Sequence, residues 1–227
     1  MRKLTLKIKT RSEVLVGSGE GWGATIDSDI VFDEYGLPYL PAKRIKGVLR
    51  ESAVEVAEMF SGIDPCLEKK VESLFSIDKR GERDFSPVCF DNLYLEEHEK
   101  NRKWLQWAMM EGYPSLISKD MILKTFTNIR QQTAIDKDGI ADDNSLRTIR
   151  VLKRDISFSG AVQVEDGFEL DPLCLAASNL RYIGTSRNRG FGHIHCELSD
   201  KGQELTSSCL NRLEKQGGQR CLKSNTR

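Results

Sequence analysis

The stretch 26-IDSDIVFDEYGLPYLPAKRIKGVLR-50 joins an acidic turn and a proline-marked loop to a helix whose first turns carry Lys43, Arg44, Lys46 and Arg50. Cations at a helix N-terminus oppose the macrodipole, at a cost of about 0.3–1 kcal/mol each. Free backbone N–H groups, the positive dipole end and clustered Lys/Arg together make an anion site, and phosphate is the usual anion. Pro38 and Pro41 keep the chain extended up to the helix. The spacing predicts that helix over residues 43–60, with Ile45, Val48, Leu49, Ala53, Val56 and Phe60 on one face and Lys43, Lys46 and Arg50 on another. Gly47 costs about 1 kcal/mol in a helix interior, which close approach of another backbone would repay. The alternative is an ordinary solvated basic face.

Upstream, Leu4, Leu6 and Ile8 alternate with lysines, the period of a strand with one buried face. Gly17, Gly19, Gly21 and Gly23 form a loop that is not a P-loop, since no Gly-Lys-Ser/Thr follows. A short strand is expected at Ile30 to Phe32. Downstream the pattern predicts a helix from Pro65 to Phe75, a strand within Pro87 to Leu95, and a partly helical region over 97–123. There Trp104, Trp107, Ala108 and Met109 supply an apolar patch for core, subunit contact or base stacking.

Residues 125–152 are polar, with little core periodicity, and read as a disordered loop or a functional projection. Arg130, Gln131 and Gln132 can reach phosphates or bases from it, while Asp136, Asp142 and Asp143 could hold a turn or a metal. The Asp136, Asp138, Gly139 spacing lacks the distal glutamate of a calcium loop. Order returns with a strand over 156–164 and a helix over 172–183. Arg187 and Arg189 then precede Gly190-Phe191-Gly192, a turn suited to anions, and Ile194 and Cys196 mark a last strand. From Asp200 the chain is polar, a tail either disordered or forming one helix around Leu210.

Lys+Arg and Asp+Glu are equal at 34 each, so no bulk basic character drives indiscriminate nucleic-acid binding. Any phosphate recognition must be local. The six cysteines are scattered without a C-x-x-C pair and there are three histidines, which argues against zinc and redox motifs. They are expected to be reduced thiols. MRKLTLKIKT has no apolar run of the signal-peptide kind and no stretch approaches a membrane span, giving the expectation of a cytoplasmic protein without membrane contact.

The major elements read strand, helix, strand, long insertion, strand, helix, strand. The fold class expected is α+β, a ferredoxin-like βαββαβ core with a helical insertion (61–125) and a thumb-like hairpin insertion (126–152) in a single domain over 1–198, followed by a tail over 199–227. The stacked aromatics of an RNA-recognition module are missing from the strands, so RNA would be bound by loops and helix ends.

PYLPAKRIKGVLR, VESLFS with DFSPVCFDNLYL, IRQQTAIDKDGIADDNSLRTI with ISFSGAVQV, and RNRGFGHIHCEL, in that order, resemble the RAMP superfamily of CRISPR proteins. Within it the chain is most similar to the backbone (Csm/Cmr-like) subunits of type III effector complexes. The resemblance implies that Asp27, in Ile26-Asp27-Ser28-Asp29-Ile30, is the catalytic residue for target-RNA cleavage, either holding a divalent metal such as Mg2+ or taking the hydroxyl proton. Asp29 stands there where proline is common. It implies that Pro41, Lys46, Gly47 and Arg50 grip the guide-RNA backbone, that the polar insertion is a thumb, and that Arg189 to Gly192 is the glycine-rich loop, with Thr185 and Ser186 in place of glycines. Lys43, Arg44, Lys46, Arg50, Arg130, Gln131, Gln132, Arg187 and Arg189 are the RNA-binding candidates. Implied partners are a guide RNA, a complementary target RNA, neighbouring RAMP subunits and a large signalling subunit. Two other readings stand beside this: a non-catalytic scaffold subunit in which Asp27 caps a turn, and a guide-processing endoribonuclease using a histidine.

Overall fold

The computed structural model describes residues 1–17, 26–62, 64–76, 86–113, 115–134, 137–140, 142 and 145–224, with side chains to 215. Gly19, Gly21, Gly23, Asp136 and Asp143 lie outside the described residues. The chain begins with β1 (Arg2–Thr10), β2 (Tyr39–Leu40), α1 (Ala42–Met59), α2 (Cys66–Phe75), β3 (Val88–Phe90) and β4 (Leu93–Leu95). Then follow α3 (His98–Trp107), a π turn, α4 (Lys119–Phe126) and the hairpin strands β5 (Thr127–Gln132) and β6 (Arg147–Leu152). β7 (Ser157–Val164), α5 (Asp171–Asn179), a 3-10 turn at Arg187–Arg189, β8 (Ile194–Asp200), β9 (Gln203–Glu204) and α6 (Thr206–Ser224) complete it.

Alternation in β1 does what it predicts: Leu4, Leu6, Ile8 and Thr10 are buried and Lys3, Thr5, Lys7 and Lys9 exposed. β1 pairs antiparallel with β7 on one side and β8 on the other, and the sheet runs β2-β4-β7-β1-β8-β9, with β3 also on β7. α1 follows β1, α5 lies between β7 and β8, and the two helices pack on each other. The fold is thus α+β, an antiparallel sheet with one face closed by helices. Ile45, Leu49, Ala53 and Val56 of α1 are buried in the same core as Leu173, Ala176 and Ala177 of α5. Each large side chain buried there contributes roughly 1.5–3 kcal/mol.

Three elements differ from their sequence reading. The run 87–95 is two strands, because residues 91–93 face only residues 160–161 between the Phe90–Val162 and Tyr94–Ser159 pairs. This bulge brings Asn92 O to 2.7 Å from where a Cβ on Gly160 would sit, so only glycine fits opposite it. The helix expected to end at Ile183 stops at Asn179; Leu180 is extended, and the Ile183 N–H bonds Gly192 O at 2.9 Å. Leu180 and Ile183 are buried all the same, so the apolar positions were read correctly and the backbone was not. Ile30 and Phe32 form isolated bridges to Gly17 and Pro38 rather than a strand. Beyond Asp200, the helical alternative is what forms: α6 seats Cys209 in the core and Thr206 Oγ1 accepts the Leu198 N–H. Among the described residues no helix is long and apolar enough to cross a membrane.

Cys174, Cys196 and Cys209 are buried, whereas Cys66 and Cys89 are exposed. Burial pushes the Cys174 and Cys196 thiols up to about 12, which removes nearly all nucleophilic thiolate at neutral pH. A maleimide added to the native chain is expected to label Cys66 and Cys89 within minutes and Cys174 and Cys196 only after unfolding, read by peptide mass mapping. Equal native labelling of Cys196 would contradict this packing.

Candidate nucleic-acid interface

A lone two-stranded ribbon is marginally stable in water, so the polar β5–β6 hairpin needs anchors. Its pairing runs from Thr127–Leu152 to Gln132–Arg147. At the base, Glu13 accepts from Asn128 Nδ2 (2.8 Å) and from Arg130 Nε and Nη2 (2.9 and 2.8 Å). Hydrogen bonding to Arg130 holds the Glu13 carboxyl below its usual value. Val14 bridges Leu152, and Ser28 bridges Ile149 in parallel. The acidic stretch Asp27–Ile30 is therefore stitched along the free edge of β6, the hairpin's return strand.

Two aspartates do the stitching in different ways. Asp27 N–H donates to Thr148 O at 2.8 Å, and Thr148 N–H donates to Asp27 Oδ2 at 2.7 Å. Asp27 is exposed, and its Oδ1 has no hydrogen bond among the described residues. Asp29 is 1% exposed; its Oδ1 accepts the Ile30 N–H and its Oδ2 pairs with Arg150 Nη1 at 2.9 Å. Burial raises the Asp29 pKa and the Arg150 charge opposes that rise. Asp29 thus carries a buried ion pair that ties its loop to β6.

The glycine-rich turn lies opposite. Gly184 has φ +82°, and a Cβ there would sit 2.3 Å from Leu15 O, so no other residue fits. Ser186 also adopts a left-handed φ of 58° where a glycine would be free of strain. Between this turn and the thumb base is a cleft of about 900 Å3, lined by Ser28, Gln132, Arg147, Arg187, Asn188 and Arg189 among others. It brings together the Asp27 segment through Ser28, the thumb residue Gln132, and both arginines of the turn. A second groove shares Arg189 and adds Arg11, Lys153, Arg154 and Arg130; of these only Arg130 was singled out from sequence, and it is engaged by Glu13. Gln131 is exposed on β5.

Lys43, Arg44, Lys46 and Arg50 do not line the cleft; they stand at the start of α1. Lys43, Arg44 and Arg50 are exposed and have no ion-pair partner among the described residues. Lys46 instead donates to Ser86 Oγ at 2.6 Å, and its partial burial lowers its pKa. The helix start is less open than its sequence suggests, because Asn92 Oδ1 accepts the Ala42 N–H at 2.8 Å. A Cβ at Gly47 would meet nothing within 4 Å. Arg147 and Asn188 were missed: neither belongs to a periodic pattern, and only the hairpin register and the turn bring them to the cleft. His98 is buried against Tyr94, with ring centroids 4.3 Å apart, while His193 and His195 are exposed near and on β8.

The sequence profile of the RAMP superfamily matches residues 7–195. No curated protein matches by sequence. Among solved structures, a chain of a type III-B Cmr-beta complex bound to cognate target RNA superposes with a TM-score of 0.61 at 13% identity, covering 87% of this chain and 97% of the other. The apo state of type III-B Cmr-beta gives 0.62 at 14% identity, with the same coverage. A chain of a type IV-B CRISPR complex gives 0.57 at 12% identity, over 88% and 91% of the two chains.

Proposed function

The chain belongs to the RAMP superfamily, and from that premise we propose that it is a guide-RNA-binding backbone subunit of a type III CRISPR effector complex that also cleaves complementary target RNA. The observation that carries the reading is the single cleft in which the Asp27 segment, the thumb base and the two arginines of the turn meet. Arg187, Arg189 and Arg147 supply charge for a phosphate backbone, and Gln132 a neutral polar contact. Lys43, Arg44 and Arg50 on α1 offer a second, separate positive surface to the same RNA.

RNA carries its own nucleophile, so the protein's work is positioning and charge stabilisation. Asp27 Oδ1 accepts the proton of a 2′-hydroxyl as that oxygen attacks the adjacent phosphorus; the P–O5′ bond breaks and the 5′-oxygen takes up a proton. The Thr148 N–H on Oδ2 fixes the carboxylate, and the thumb holds the strand unstacked so the linkage can come into line. Among the described residues no three His, Cys, Asp or Glu side chains could jointly hold a metal. In the alternative role Asp27 Oδ1 would hold a magnesium ion in place of the proton, with RNA oxygens and water completing the shell. A bound ion supplies charge stabilisation at the phosphate.

One observation favours the scaffold reading instead: Asp27 Oδ2 already accepts the N–H of Thr148, 121 residues away, which ties the loop to β6 without any chemistry. RNA binding is common to both readings. Arg187→Glu/Arg189→Glu is expected to weaken guide-RNA binding at least about tenfold and to lower the slope of log K against log salt by about 1–2, measured by filter binding at several salt concentrations. An unchanged affinity and slope would remove the turn from the RNA path.

A further inference from the structure

Where α5 gives way to extended chain, Arg181 and Tyr182 lie beside a third groove of about 680 Å3 that shares Arg187 and Asn188 with the cleft. Its far wall is α1. Asn179 Nδ2 donates to Ser52 Oγ and to Glu55 Oε2, both at 3.1 Å. This leaves Asn179 Oδ1 and Glu55 Oε1 as acceptors without a hydrogen bond among the described residues. Tyr182 is 43% exposed, supported on one side by His193 at 5.2 Å between ring centroids.

We propose that this groove binds one unstacked nucleobase of the RNA lying in the cleft, stacked on Tyr182 and read at its amino edge by Glu55 and Asn179. The proposal rests on the RNA-binding reading above. Charge sets the orientation: Glu51 and Glu55 on α1 repel phosphate, while Arg181 and Arg187 on the opposite side attract it. The backbone therefore follows the arginines and the base turns toward α1. Arg44 lies one helical turn before Val48, which lines the groove, so the positive path resumes beyond it. An aromatic face accepts any base, but two free acceptors favour the amino-bearing edges of adenine and cytosine over uracil.

The test is fluorescence anisotropy of the full chain with labelled oligo(A), oligo(C) and oligo(U) of equal length. Tyr182→Ala is expected to weaken binding about tenfold and Tyr182→Phe to restore it. Glu55→Gln is expected to reduce the preference for oligo(A) and oligo(C) over oligo(U). Wild-type affinity in Tyr182→Ala, or no preference among the three RNAs in the wild type, overturns the base site alone. Failure of the wild type to bind any of them overturns the RNA-binding reading as well. If Tyr182→Ala does not fold, Tyr182→Trp reports instead: a stacked base quenches the new fluorescence, and an unchanged spectrum on RNA addition counts against the site.

Discussion

Replacing Arg150 by alanine is expected to destabilise the protein by about 3–5 kcal/mol, because it leaves the Asp29 carboxylate buried without its cation. Asp29→Asn should cost less: an amide oxygen can still accept the Ile30 N–H, and the charge left unpaired is on Arg150, which is 15% exposed where Asp29 is 1%. The effect carries a pH signature. Burial already raises the Asp29 pKa above the 3.8 of a free aspartate, so the folded chain holds that proton more tightly than the unfolded one. Stability contributed by the group therefore falls as pH rises between those two values. Without Arg150 the folded value moves higher, so the deficit of the variant is greatest near neutral pH and shrinks in acid, where Asp29 is neutral in both states. Urea unfolding of the two variants at neutral and acid pH reads this directly. Equal stability of Arg150→Ala and wild type at neutral pH would show that the pair does not hold the loop.

That ion pair also marks where the sequence stopped being informative. β1 and α1 were legible because their apolar residues repeat at the strand and helix periods, and both bury the residues those periods select. Asp29 and Arg150 are 121 residues apart, and no local pattern links them. The same holds for Asn92 on the Ala42 N–H, 50 residues away, which takes up a donor that helix-end reasoning leaves open for an anion. Residues 125–152 read as a polar segment unable to bury itself, yet Ile149, Val151 and Leu152 of β6 are buried in the core and the hairpin is anchored outside itself at Glu13, Val14 and Asp27–Asp29. Tyr182 was absorbed into an expected helix, since Leu180 and Ile183 sit at helical spacing and are buried whichever backbone carries them.

Of the candidate RNA ligands, Gln132, Arg187 and Arg189 meet in the cleft, whereas Arg130 is turned to Glu13 and Lys46 to Ser86. The α1 cations form a separate positive surface. The signal for Asp27 came from resemblance; its spacing to neighbouring acids says nothing of catalysis, and what the structure adds is the thumb strand it is tied to.

The proposed cleavage depends on the charge of Asp27, and asparagine separates that charge from the structural role. Asp27→Asn retains an oxygen for the Thr148 N–H and so keeps the loop on β6, but it has no carboxylate to take a proton or meet a cation. In a reconstituted complex with guide RNA, complementary RNA and magnesium, target cleavage by Asp27→Asn is expected to fall about 100-fold or more, with assembly and guide retention unchanged. Cleavage at the wild-type rate in that assembled complex would contradict the catalytic role and leave Asp27 as a tie between its loop and β6.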